Sequence, residues 1–235
     1  MKSLMNWGFM NRLWTANRGF RIVAVACICF LAIALQGFAQ KDAKAKEYLD
    51  KSADAFAKAG AFSAYFTMNI KDTPNKVTES FDGTIELKEA KFHLDTPDMQ
   101  IWFDGKVQWI LQKKLEEVSI NEPNEQEVQS IHPAFIFSVY KNGCSYKYTG
   151  QKKDANGRAV QEVELIPQGK GSDLTKIVVQ FSTNDFMPAK IHIFYKNKIE
   201  NIIHIHQYQK NLNLPDSAFV FDPKSYPNAE VIDLR

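Results

Sequence analysis

The spacing of apolar and polar positions changes character along the chain. Residues Lys44 to Ala59 place Tyr48, Ser52, Ala55, Phe56 and Ala59 on one stripe at helical spacing, with Lys46, Glu47, Asp50, Lys51, Asp54 and Lys58 elsewhere. This predicts an amphipathic helix that Gly60 stops. From Phe62 the period becomes two. Phe62, Ala64, Phe66, Met68 and Ile70 alternate with Ser63, Tyr65, Thr67 and Asn69, as a strand with one buried face requires. After a turn at Pro74-Asn75, Thr78 to Lys88 repeats the pattern with Phe81, Ile85 and Leu87.

Short strands follow in quick succession: Lys91 to Asp95, Met99 to Phe103, Val107 to Gln112 and Leu115 to Ile120, with turns at Thr96-Pro97-Asp98 and Asp104-Gly105. The loop at Asn121 to Asn124 opens a helical region reaching Tyr140, which Pro133 should break into two pieces. Ser145 to Gln151, Ala159 to Pro167, Asp173 to Ser182, Met187 to Lys196 and Ile199 to Gln209 then read as an antiparallel meander. A last strand is expected at Ala218 to Phe221, before Asp222-Pro223 and a polar tail. One helix, about ten strands and a helical insertion leave too little helix to cover a flat sheet of this size. The expected class is therefore mainly β with a helical lid (α+β), the sheet curling into an incomplete antiparallel barrel.

The amino-terminal segment belongs to a different kind of structure. Arg18 and Arg21 precede the uncharged apolar run Ile22 to Leu35, which ends at Gly37-Phe38-Ala39 with small residues where a signal peptidase reads. A charged start, an apolar core of about 7–15 residues and a small-x-small exit describe a secretory leader. A membrane anchor needs about 20 apolar residues, and Gln40-Lys41-Asp42 ends this run too early. A lipoprotein signal processed at Cys27 would have only Ile22 to Ala26 as its apolar core. Residues 1–39 are thus expected to be removed, leaving 40–235 as one domain of 196 residues, large enough for a substantial core.

That boundary changes the charge. The removed segment carries four basic residues and no acid, so the formal net charge of +2 becomes −2. A nucleic-acid binder presents a basic surface, and this chain offers none. Cys27 and Cys29 leave with the leader, and Cys144 stands alone in Asn142-Gly143-Cys144-Ser145 with no neighbouring His or acid to activate it. Stability must come from packing.

The chemistry-bearing residues are sparse. The apolar face is rich in large rings, among them Phe62, Phe66, Phe81, Phe92, Phe103 and Trp109, which could fill a core or line a cavity. His204 and His206, two apart on one strand, share a face, and His192 lies on the preceding strand. Three imidazoles would suit zinc. However, Ile191, Ile193, Ile203 and Ile205 occupy the opposite, apolar face, which puts the histidines toward solvent, and no metal or other cofactor is expected. Nucleophile elbows, phosphate loops, His-Glu-x-x-His and Cys-x-x-Cys are all absent. No catalytic residue is nominated, and a binding protein is expected rather than an enzyme.

Several segments in order carry a resemblance. Gly83-Thr84-Ile85-Glu86-Leu87-Lys88, then Lys91-Phe92-His93-Leu94, the Pro97-Asp98 turn and Asp104-Gly105-Lys106-Val107-Gln108-Trp109 resemble the outer-membrane lipoprotein carrier family LolA, as does the closing Phe219-Val220-Phe221-Asp222-Pro223. The resemblance implies an incomplete barrel with a helical lid, sheltering lipoprotein acyl chains in the periplasm. It also implies partners: an inner-membrane ABC exporter that delivers cargo, and an outer-membrane acceptor that takes it. A monomer is expected. On the matching positions, Phe92 and Leu94, Ile101 and Phe103, and Trp109 and Leu111 are expected to line the lumen. Phe135, Ile136 and Phe137 are expected on the inner surface of the lid. The family's Arg-Pro after the first motif, whose Arg ties lid to barrel, is replaced here by Glu89-Ala90, so any latch must be built differently. A module of the same fold that senses lipids or mislocalised lipoproteins is the alternative reading.

Overall fold

The computed structural model describes residues 43–124, 127–128, 132, 134–141, 144–167 and 173–235. The expected leader, with its boundary at Ala39 and its two cysteines, lies outside these residues. Chain order gives a helix α1 over residues 43–58, then β1 (Phe62–Asp72), β2 (Val77–Lys88), β3 (Lys91–Asp95), β4 (Met99–Phe103), β5 (Gln108–Gln112) and β6 (Glu117–Asn121). After helix α2 (Phe135–Lys141) come β7 (Cys144–Lys153), β8 (Ala159–Pro167), β9 (Leu174–Ser182), β10 (Pro188–Tyr195), β11 (Ile199–Gln209) and β12 (Glu230–Asp233).

All twelve strands form one sheet in the order β12-β6-β5-β4-β3-β2-β1-β11-β10-β9-β8-β7. Neighbours in space are consecutive in sequence except at β1–β11 and β6–β12, so hairpins dominate. β7 and β12 are the two edges, and the sheet does not close on itself. The mainly β, incomplete-barrel class is what the alternating pattern predicts.

The carboxy-terminal segment departs from expectation. Ala218 to Phe221 is not a strand. Asp216–Phe219 forms a 3₁₀ turn after the extended Pro215, and a second turn, Pro223–Ser225, is capped by the Asp222 carboxylate accepting from the Lys224 N–H. The actual last strand lies in the polar tail, where β12 pairs with β6 in parallel. The reason is burial rather than periodicity. Phe219 and Phe221 are buried while Val220 between them is exposed, so the segment is held by its anchors and needs no ladder. Asp216 fastens its start, accepting from Lys88 and Lys91 at 2.8 Å each, and those two ammonium groups hold its carboxyl down at about 2.

The inner face of the sheet is covered by the helices. Ala45, Leu49 and Ser52 of α1 are fully buried, and α1 ends where Gly60 takes a positive φ of 64°. One cluster joins Ala45 and Leu49 with Ile136 and Phe137 of α2 and with Val163, Leu165, Ile177, Val179 and Phe181 of β8 and β9. A second joins Ala59 to Phe62, Phe66, Leu87, Phe92 and Phe103 of β1 to β4. A third, Trp102, Leu111, Val118 and Phe221, with Trp109 and Tyr226 at its edge, lies under the carboxy-terminal segment. Residues 45–235 make one compact unit, and among the described residues no helix is long and apolar enough to cross a membrane.

Candidate functional site

Between the first two clusters the inner face is not filled. A cavity of about 270 Å³ lies there, walled on β1 by Phe62, Ala64, Phe66 and Met68, on β2 by Ile85 and Leu87, on β3 by Phe92 and Leu94, and on β4 by Ile101. The opposite wall is Ile191, Ile193 and Tyr195 of β10 with Asn201, Ile203, Ile205 and Tyr208 of β11. Each strand contributes every second residue, as a pleated wall must. The step from Ile205 to Tyr208 follows a bulge opposite Tyr65 and Phe66, which returns the strand to the same face after one extra residue. Phe56 of α1 and His132 cover the cavity.

The nominated residues divide. Phe92, Leu94 and Ile101 are on the wall. Phe103 sits beside it: it is the cross-strand partner of Phe92, their ring centroids 5.6 Å apart. Trp109 and Leu111 are not on the wall. Register explains why: Trp109 faces Trp102 across β4–β5 while Ile110 faces Ile101, so the tryptophans share the outer face and lie beneath Phe221 and Tyr226. Of the lid residues, Ile136 and Phe137 are buried against α1 and β8–β10 rather than on the cavity. The side chain of Phe135 lies outside the described ones. Phe137 nevertheless reaches the cover through Phe56, whose ring meets Phe137 at 5.5 Å and Phe62 at 5.0 Å, both edge-on.

Ile191, Ile193, Ile203 and Ile205 are wall residues that the sequence reading set on the buried face but did not nominate. Their signal is the alternation with His192, His204 and His206. Those histidines are on the other side of the sheet. His192 Nε2 is 2.8 Å from the Glu200 carboxylate. Thr67 Oγ1 donates to Asp82 at 2.6 Å and accepts from His206 Nε2 at 2.7 Å. Partial burial, and then the Lys190 ammonium, lower the pKa of His204. Among the described residues no three potential ligands are placed to hold a metal ion. Cys144 is half-buried, and its thiol is pushed up by desolvation, away from reactivity.

Among the described residues the cavity wall carries no Asp, Glu, Lys or Arg. Its four polar members are neutral groups. Tyr208 donates to the Pro188 carbonyl at 2.8 Å, and burial drives its hydroxyl pKa far up. Tyr195 is raised for the same reason, partly relieved by Asn201, whose Nδ2 stands 3.4 Å from its oxygen. His132 accepts at Nδ1 from the Ala134 N–H at 3.1 Å and meets the Phe92 ring edge-on at 5.9 Å. Desolvation lowers its pKa, so the uncharged ring is favoured, and the nearby Glu89 carbonyl offsets only part of this. His132 Nε2 and Asn201 Oδ1 are buried without a hydrogen-bond partner among the described residues. The printed wall is predominantly aliphatic and aromatic, the chemistry of a surface that favours apolar groups over water.

A crystal structure of an uncharacterized conserved protein from Thermus thermophilus matches with a TM-score of 0.55 at 12% identity, over 81% of this chain and 99% of that one. A putative outer membrane lipoprotein-sorting protein domain from Vibrio parahaemolyticus matches with a TM-score of 0.42 at 14% identity, over 74% and 97%. A LolA superfamily protein from Nitrosomonas europaea gives 0.40 at 10% identity, over 75% and 97%. At such identities the likeness concerns the fold alone. Curated proteins give no match to the sequence. The family model described as outer membrane lipoprotein carrier protein LolA matches residues 35–196, more than half of the chain. With the unclosed sheet and its covered apolar cavity, this match establishes that the chain belongs to the LolA family.

Proposed function

We propose that this protein is a periplasmic carrier that shelters lipoprotein acyl chains in the cavity beneath its sheet and moves them from the inner to the outer membrane. The observation that supports the reading is a predominantly apolar space of about 270 Å³ whose described wall residues include no Asp, Glu, Lys or Arg. Each methylene moved out of water contributes roughly 0.8 kcal/mol, so an acyl chain cannot cross an aqueous compartment unshielded. Walls of aliphatic and aromatic side chains bind without directed contacts, and what they bind they can also release. Under this reading residues 1–39 direct export, an inner-membrane ABC exporter delivers the cargo, an outer-membrane acceptor receives it, and the protein catalyses nothing. Phe92, Leu94 and Ile101 contact the chain.

Leu94→Glu tests it. Leu94 is only partly buried on the wall, so the variant should fold, while a carboxylate in the cavity is poorly solvated and repels hydrocarbon. The expected result is native circular dichroism, loss of lipid from organic extracts of the purified protein, and lipoproteins retained at the inner membrane of cells that carry only this variant. Full lipid content in the folded variant would remove the cavity from the mechanism.

A further inference from the structure

The ladder between β10 and β11 stops short. Its register ends at the pair Lys190–His204, while β11 runs on beside β1 as far as Gln209. Pro188 brings no N–H with which to continue the pairing. The two strands part there, and the tip of the β7–β8 hairpin, from Lys153 to Arg158, borders the gap. The result is an open cleft of about 370 Å³ on the face of the sheet that carries His204 and His206, away from the apolar cavity. A second cleft of about 540 Å³ adjoins it and shares Asp154, Arg158 and His206.

The charges around the first cleft do not cancel. Among its described lining residues are three cations, Lys153, Arg158 and Lys190, against one carboxylate, Asp154. Asp154 is turned into its own hairpin. Its Oδ1 accepts from the Asn156 N–H at 2.9 Å and the Arg158 N–H at 2.8 Å, and its Oδ2 from Arg158 Nε at 2.7 Å. That contact uses one edge of the guanidinium only. In the adjoining cleft Lys210 is spent on Asp185 at 2.6 Å. Lys190 is half-buried and Lys153 exposed, and neither takes part in an ion pair among the described residues. His204 records the surplus: after partial burial, Lys190, His206 and His192 hold its pKa down.

Two uncompensated positive charges in a space of this size suit a compact dianion. A phosphate monoester carries about −1.5 to −2 charge at neutral pH and presents three strong acceptor oxygens, whereas a carboxylate or a phosphodiester brings one charge. Arg reads phosphate oxygens with its fork and Lys as a point charge. We propose that the cleft between β10, β11 and the β7–β8 hairpin binds a phosphate monoester through Lys190, Lys153 and Arg158. The monoester is either a free phosphorylated compound or the headgroup of a lipid. The site shares none of these three residues with the apolar cavity, so it stands or falls apart from the carrier reading.

The test is calorimetric titration of the purified protein with α-glycerophosphate, and with dimethyl phosphate as the singly charged diester. A single site is expected, with the monoester at least about tenfold tighter than the diester. Lys190→Gln and Lys153→Gln should each weaken monoester binding about tenfold or more, the worth of one charged hydrogen bond. Lys196→Gln removes the same charge just past the far end of β10, outside the cleft, and should leave binding within about twofold. If Lys190→Gln does not fold, Lys153→Gln on the exposed hairpin carries the test. Sedimentation with phosphatidylcholine vesicles, with and without phosphatidic acid, separates the two sources. Retention that needs phosphatidic acid and is lost in Lys190→Gln or Lys153→Gln identifies a lipid headgroup. Binding of α-glycerophosphate without such retention identifies a free phosphorylated compound. Failure to bind either form overturns the inference. So does undiminished binding in the folded cleft variants, or an equal loss in Lys196→Gln, which would mark a diffuse effect of charge.

Discussion

The tip of the Phe66 ring lies over Gly83, its cross-strand partner, so closely that a Cβ on that glycine would stand 2.5 Å from Phe66 Cζ. The absence of a side chain at Gly83 is what lets Phe66 fold back against the sheet instead of standing up into the cavity it lines. Gly83→Ala should therefore force the ring inward. Overpacking of this kind costs about 1–3 kcal/mol, and the displaced ring also occupies ligand space. Chemical denaturation should show the loss of stability, and displacement of a fluorescent fatty acid should show weaker binding. Adding Phe66→Leu should recover part of both, because the pair is in direct contact and its effects are not additive. Additive losses in the double variant would mean that the glycine acts elsewhere.

Phe92 is a stability residue as well as a wall residue. It is fully buried, packs beside Phe103 and meets His132 edge-on. Phe92→Ala should cost about 3–5 kcal/mol, the range for deleting a buried ring, read from denaturant unfolding. Leu94→Glu, at a half-buried wall position, should lose binding with a much smaller loss of stability. A Phe92→Ala protein as stable as wild type would show that the wall around it collapses freely.

Burial lowers the pKa of His132, His192 and His204 below the ordinary 6.5. The unfolded chain then binds more protons than the folded one as pH falls through that value, so the stability these groups allow is complete above about 6.5 and declines toward their folded values. The carboxylates of Asp216 and Asp233, held at about 2, stay ionised throughout this window and do not contribute to the slope. Melting temperature should fall between about pH 7.5 and pH 5. His132→Phe keeps a ring against Phe92 and removes one titration. Its melting profile should be flatter but not flat, since His192 and His204 remain. A profile identical to wild type would show that His132 does not titrate with folding.

Much of this architecture is legible in the sequence, and the exceptions share a cause. Where a strand alternates cleanly, as Phe62 to Met68 or Ile191 to Tyr195 do, the buried face follows from the pattern and the structure agrees. Ile101-Trp102-Phe103 and Trp109-Ile110-Leu111 are apolar on both faces. Period two cannot then choose a side, and pairing with a wrong partner face puts Trp109 and Leu111 in the lumen. Only the register, Trp102 with Trp109, decides it. Both faces are apolar because a second layer covers the outer one, and that layer comes from Phe221 to Ala229, over a hundred residues later. The β12–β6 pairing is equally non-local, and its four-residue strand, Glu230–Asp233, has no pattern to announce it. The cavity itself is a gap between clusters, and vacancy has no sequence signature.

The two-faced character of β4 and β5 separates stability from binding. Phe221 is buried, packs edge-on against Trp102 at 5.5 Å and stacks on Tyr226 at the same distance, on the side of the sheet away from the cavity. Phe221→Ala should destabilise the protein by about 3–5 kcal/mol. It should also shift tryptophan emission to the red, because Trp102 and Trp109 beneath it gain water. Fatty-acid binding per folded molecule should stay within about twofold of wild type, since no wall residue is touched. Trp109→Phe should likewise preserve binding, in contrast to Leu94→Glu on the wall. A strong loss of binding in folded Phe221→Ala or Trp109→Phe would mean that the outer layer sets the curvature of the sheet, and through it the width of the cavity.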